Sequence, residues 1–173
     1  MKKKIVIAAL AAALISTAST TANAALTGTV SKGVLTIATD NPAYSPWFDS
    51  NKPSNGKGYE SAVAYAIAKQ LGYSANQVKW VTATFDSVIK PGKKNYDFDI
   101  NQVSITDERK KAVDFSTGYY DVAQSVVSIK GSKFAGAKTL AALKDAKFGA
   151  AAGTTSLSAI NKTIKPKSAA SVY

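Results

Sequence analysis

Hydrophobic and polar positions along the chain switch repeatedly between a two-residue and a four-residue rhythm, and each switch predicts a new element. Residues 34–39 (VLTIAT) are a β-branched, apolar run that predicts a buried strand, closed by the turn signal Asp40-Asn41-Pro42. Residues 40–58 have the prolines, glycines, Asn and Ser of a loop, yet they also carry Tyr44, Trp47 and Phe48. Loop aromatics either contact a ligand or fold back over the core, and the sequence leaves both readings open. Residues 59–71 predict the clearest helix: Val63, Ile67 and Leu71 recur every four positions, with Ala62 and Ala66 widening the stripe. Gly72 then supplies a C-terminal stop.

Beyond it, 78–82 alternates like a strand, and 85–89 predicts a short helical turn before Pro91-Gly92. Residues 96–105 (YDFDINQVSI) predict another strand. It leads into Thr106, a natural N-cap, with Asp107 and Glu108 at the positive end of a short helix that finishes over 110–114. Strands are predicted over 124–129 and 148–152, the second closed by Gly153, and a helix begins over 139–143. Thr154 starts a helix running to about residue 163, which breaks before Pro166, and 170–173 opens one more strand. Strands alternating with helices imply an α/β fold with a largely parallel sheet.

Composition changes this picture first at the N-terminus. Lys2, Lys3 and Lys4 precede an unbroken apolar run over 5–15, and a small, polar stretch ends in Ala22-Asn23-Ala24. Those are the three parts of a secretory signal peptide, which places the signal at 1–24 and the mature start at Ala25. A membrane anchor would need roughly 20 apolar residues, and this run is far shorter. The chain has no Cys, so neither a disulfide nor a lipid on the cleavage-site residue is available. A freely soluble monomer in the periplasm or outside the cell is expected, with no membrane insertion after cleavage.

His is absent too. Zinc and most transition metals lose their usual ligands, and Ser-His-Asp or Cys-His catalysis is excluded; no metal and no cofactor are expected. The formal net charge of +11 raises the possibility of a nucleic-acid partner. After the signal, however, the lysines are scattered with no more than two adjacent, there is one arginine, and solvating lysines explain the charge better. No nucleic-acid partner is expected.

That arginine, Arg109, stands three residues after the Thr106 cap. A guanidinium fork suits a carboxylate, and the free N–H groups of a helix start add donors and a favourable dipole. The alternative is a surface ion pair with Asp107, Glu108 or Asp114.

The stretch DFDINQVSITDER over 97–109, followed by DFSTGYY over 114–120, resembles the polar amino-acid-binding proteins of ABC importers, solute-binding protein family 3. LTIATD over 35–40, Gly58-Tyr59-Glu60 at a helix start, Leu71-Gly72 at its end, and GTTS over 153–156 match in the same order. The resemblance covers the chain from about residue 33 to its end. It implies a bilobal periplasmic-binding-protein fold, two α/β lobes with mixed, mainly parallel sheets that close around an amino acid. Residues 25–121 would form the N-terminal part of lobe 1, and 122–173 would hold a hinge strand, lying near 120–123, and the first part of a truncated lobe 2.

The same resemblance assigns Arg109 to the ligand α-carboxylate, assisted by the backbone N–H of Ser104 and of Thr155. The Ser104 hydroxyl and the Gln102 carbonyl would face the α-ammonium. Phe85 and Tyr44 would pack on the ligand side chain, and Asp40 would sit near its polar end. The helix starts at Thr106 and Thr154 complete the candidate set. Two departures stand out: position 102 is usually Gly, and an insertion near Ser45-Pro46 loosens the match at Tyr44. The partners implied are an amino-acid ligand and the permease of an ABC importer.

The resemblance also implies a C-terminally truncated chain, because the family's ammonium-binding Asp, its return hinge strand and the closing helices of lobe 1 come later. Two other readings share the fold. A sensor domain would need an anchoring helix, and a cyclohexadienyl dehydratase-like enzyme would need a general acid or base near Arg109. No acid pair is evident there, so a non-enzymatic binding protein is preferred. Removing one member of a buried charge pair costs roughly 3–5 kcal/mol, about a hundred- to several-thousand-fold in affinity. Residues 25–173 are therefore predicted to bind amino acids weakly or not at all; micromolar affinity for any of the twenty in calorimetry would refute this.

Overall fold

The computed structural model describes residues 28–173, so the signal at 1–24 and the start at Ala25 lie outside the described residues. Strand β1 (Leu35–Thr39) is buried at all five positions, as an apolar, β-branched run in a central strand should be. It pairs in parallel with β2 (Val78–Thr82) on one side and β3 (Phe98–Asp99) on the other, giving the order β2-β1-β3. Helix α1 (Tyr59–Gln70) crosses from β1 to β2, and the short α2 (Phe85–Val88) lies on the path from β2 to β3. A second sheet joins β4 (Gly149–Ala150) in parallel to β5 (Ser171–Val172), with α3 (Thr155–Ala159) and a π-helical turn (Ile160–Ile164) between them. The named strands all pair in parallel, and an isolated antiparallel bridge joins Ser31 to Val34.

Each sheet has its own apolar cluster. Leu35, Ile37, Phe48, Ala64, Ala68, Tyr73 and Ile100 form the first; Leu143, Ala150, Ile160 and Ile164 form the second. Helix α1 turns a different face inward from the one its spacing predicts. Glu60, Ser61, Ala64 and Ala68 are buried, whereas Ile67 is 37% exposed. Small side chains let the helix sit close to the sheet, and Val63 and Leu71 pack at its margin. Gly72, at φ +85°, ends it as expected.

The loop aromatics divide. Phe48 is fully buried, Trp47 packs against the core, and Tyr44 stays 65% exposed. Phe48 is held there because Gly58 lets two backbones meet. A Cβ at Gly58 would stand 2.5 Å from the Trp47 carbonyl oxygen and 2.7 Å from the Phe48 Cα, and φ is +89°. No side chain fits that space.

Three expected strands come out shorter or absent. The run over 96–105 is cut to Phe98–Asp99, because Gln102 adopts a left-handed φ of +48° and turns the chain off the ladder. Upstream, Asp97 stops the pairing by accepting from Thr36 N–H and Val30 N–H, each at 2.7 Å. The run over 124–129 forms no strand: Val126, Val127 and Ile129 are 49%, 93% and 82% exposed, and no described strand lies beside them to complete a ladder. The segment over 148–152 keeps two ladder residues. Helices near 139–143 and 106–114 contract to single 3-10 turns at Ala141–Leu143 and Arg109–Lys111.

Gly58→Ala is expected to destabilise the chain by about 2 kcal/mol or more, combining backbone strain with a clash that only main-chain movement relieves. Chemical denaturation with tryptophan fluorescence measures it; a loss below about 0.5 kcal/mol would show that the loop yields freely.

Candidate functional site

In an open parallel sheet, ligands settle in the crevice outside the carboxyl ends of the strands, where the strand order reverses. With the order β2-β1-β3, the chain leaves β1 to one side and returns to the other, so the reversal lies between β1 and β3. The loops leaving those strands carry Asp40 and residues 101–106. Topology alone therefore brings two parts of the expected site together.

Arg109 is the centre of this region. It is 7% exposed, and none of the ion pairs among the described residues involves it; Asp107 faces Lys110 instead, at 3.6 Å. The surface-pair alternative is thereby excluded. Its Nη1 donates to the Ser104 carbonyl at 2.7 Å and its Nη2 to the Gly153 carbonyl at 2.8 Å. The guanidinium carbon lies 5.3 Å from the centre of the Phe85 ring. Burial lowers the Arg109 pKa, and the neighbouring Glu108 charge works against that shift. A guanidinium has five N–H donors, and these two bonds leave others for an incoming oxygen.

Each side chain around it is held by its own local structure. Thr106 caps the turn as expected: its Oγ1 accepts Arg109 N–H at 3.2 Å. Asp40 Oδ2 accepts Phe85 N–H at 3.0 Å and Oδ1 accepts Asn41 N–H at 2.7 Å. The carboxylate thus starts α2 and sets the ring beneath the guanidinium. Gly153 and Thr154 form the turn before α3; Thr154 Oγ1–H donates to Ala151 at 2.8 Å. Thr155 Oγ1 accepts from Gln124 Nε2 at 3.1 Å, and Ser156 Oγ–H donates back to Gln124 Oε1 at 3.0 Å. Gln102 directs its amide toward Glu60, whose Oε1 accepts the Gln102 N–H at 2.7 Å. Its extra bulk, relative to glycine, is spent on that contact.

Arg109, Ser104 and Phe85 are in direct contact, Asp40 and Thr106 act through the backbone, and Gly153-Thr154-Thr155 closes the far side. Tyr44 is not joined to them: among the described residues it has no ring contact or side-chain hydrogen bond with the set.

Two groups escaped the sequence reading. Glu60, apparent only as part of a helix start, has no exposed surface. Asp99 ends β3, which lies at the edge of the described sheet, where a polar residue is ordinary, so the sequence offered no signal for it. The buried side-chain oxygens without a partner among the described residues are Asp99 Oδ1 and Thr39 Oγ1, both at carboxyl ends of paired strands. Burial, then the charges of Glu60 and Asp40, raise the Asp99 carboxyl from 3.8 to about 7, with Lys94 opposing.

Residues 35–169 match the family of bacterial extracellular solute-binding proteins, family 3. The chain belongs to that family, whose bilobal fold accounts for the two parallel sheets. It is 31% identical over 142 residues to an L-arginine-binding protein of Pseudomonas aeruginosa, covering 76% of this chain and 53% of that protein. It is 35% identical over 127 residues to the L-cystine-binding protein TcyJ of Escherichia coli K12, covering 71% and 45%. It is 33% identical over 141 residues to the arginine-binding extracellular protein ArtP of Bacillus subtilis 168, covering 81% and 53%. The chain spans about half the length of these relatives. No helix among the described residues is long and apolar enough to cross a membrane.

Because Asp99 binds its proton more tightly in the folded chain than in the unfolded one, its contribution favours folding below pH 3.8 and is lost as pH rises through about 7. Asp99→Asn is expected to flatten that decline and raise stability above neutrality, by an amount on the order of 2 kcal/mol. Urea unfolding of both proteins across this pH range would show it; parallel curves would refute a buried, protonated Asp99.

Proposed function

We propose that the protein is an extracytoplasmic solute-binding protein that captures an amino acid and hands it to the permease of an ABC importer. The observation that carries the reading is the buried Arg109 guanidinium, seated on Phe85 between the Ser104 and Gly153 carbonyls with donors to spare. A planar, permanently charged fork beside the carboxyl ends of the strands suits a carboxylate. The backbone N–H of Ser104 and of Thr155 joins it there, while the Gln102 carbonyl and the Ser104 hydroxyl take the α-ammonium. On this reading 25–121 is the N-terminal part of lobe 1, and 122–173 holds the hinge strand and the first part of lobe 2.

The ligand class is a polar amino acid, in keeping with relatives named for arginine and cystine. The protein binds rather than catalyses. Supporting this, the Asp40 oxygens accept backbone N–H groups and the Glu60 oxygens accept from Gln102 and Tyr119, which leaves these acids engaged as structural acceptors. Secretion into the periplasm or extracellular space is in keeping with the signal-like N-terminus.

Nitrogen-15 NMR titration of the secreted chain with L-arginine, L-cystine and L-glutamine tests the reading. At millimolar ligand, in keeping with the weak affinity expected of residues 25–173, at least one should shift the amides of 102–106 and 154–156 together. Arg109→Lys, which keeps charge and loses the fork, should weaken that response by roughly tenfold or more. Shifts confined to other surfaces, or a response indifferent to Arg109→Lys, would overturn it.

A further inference from the structure

We propose that Glu60 is a positioning residue, which locks the loop at Gln102 and the crossing segment at Tyr119 into one fixed relation. The proposal rests on the binding reading only for the purpose of that loop. Glu60 is the second residue of α1 and is completely buried. Its Oε1 accepts Gln102 N–H at 2.7 Å and the Tyr119 hydroxyl, and its Oε2 accepts from Gln102 Nε2. The preceding residue, Tyr59, donates its hydroxyl to the Tyr119 carbonyl at 2.8 Å. One helical turn therefore holds residue 119 by backbone and side chain, and residue 102 by backbone and side chain as well.

The turn itself has a firm seat. Tyr59 N–H donates to the Pro46 carbonyl at 3.1 Å and Glu60 N–H to the Trp47 carbonyl at 2.9 Å. A buried carboxylate demands donors, and here two segments far apart in sequence must both come to it. Gln102 is a non-glycine residue at φ +48°, a conformation that L side chains resist. Two bonds to Glu60 are what hold it so. Its geometry directs the chain toward Ser104, whose carbonyl receives Arg109. The charge on Glu60 also bears on Tyr119: burial first, then the Glu60 hydrogen bond and charge, push its phenol well above the usual tyrosine range.

Glu60→Gln in the full chain preserves shape and removes the charge. Two changes are expected together by NMR: exchange of the Gln102 amide speeds up roughly tenfold, and order parameters fall over 102–104 and 119–123. The β1 amides should keep their protection. Adding Gln102→Gly should restore order over 102–104, since glycine takes the left-handed turn without steric cost, while 119–123 stays loose. Unchanged exchange of the Gln102 amide, loosening that spreads equally through β1, or no rescue by glycine would overturn the proposal. Should Glu60→Gln fail to fold, Tyr119→Phe deletes a single hydroxyl; order parameters unchanged over 119–123 would then refute it, and a fall there would support it. None of these readouts uses a ligand, so they can fail while amino-acid binding stands, and the reverse.

Discussion

A guanidinium taken out of water must direct its N–H groups at oxygens, and in this chain the oxygens come from two sheets. Ser104 follows β3 and Gly153 follows β4, yet both carbonyls accept from Arg109. The loop after the first sheet and the turn opening α3 are therefore brought to one point. Phe85 lies alongside because Asp40 starts α2 at that place. Position, charge and orientation of the candidate site all follow from satisfying one buried cation.

A second buried charge does the complementary work behind it. Glu60 has no solvent, so Gln102 and Tyr119 supply its donors. The acids around it feel the same shortage of water. Burial first, and then the charges of Glu60 and Asp40, favour the protonated form of Asp99. Charged and polar side chains thus gather at the carboxyl ends of the strands, which is where topology would place a ligand.

Gln102 shows how a departure from a family pattern can be absorbed. Glycine at this position would adopt the left-handed turn freely. Glutamine meets about 1–2 kcal/mol of resistance there, and two hydrogen bonds to a buried carboxylate offset it. The side chain points to Glu60, so the added bulk contributes to the support of the loop.

Much was legible in the residues themselves. The run at 35–39, the alternation at 78–82, the helix over Tyr59–Gln70 and the Thr106 cap depend on local periodicity and hydrogen-bonding chemistry, and they appear with their expected limits or nearly so. The place of Arg109 just after a cap was legible too, but a surface ion pair stayed equally open until the fold buried the side chain and turned Asp107 toward Lys110. Whatever depended on a partner elsewhere in the chain was not. Val127 and Ile129 have strand-forming side chains, but a strand also needs a neighbour for its backbone, and none stands beside them among the described residues. Ile67 has the right spacing for the core, yet close packing favoured Ala64 and Ala68. Glu60 and Asp99 became significant only when folding removed their water, since burial and the distance between charges belong to the tertiary structure and leave no local mark on the sequence.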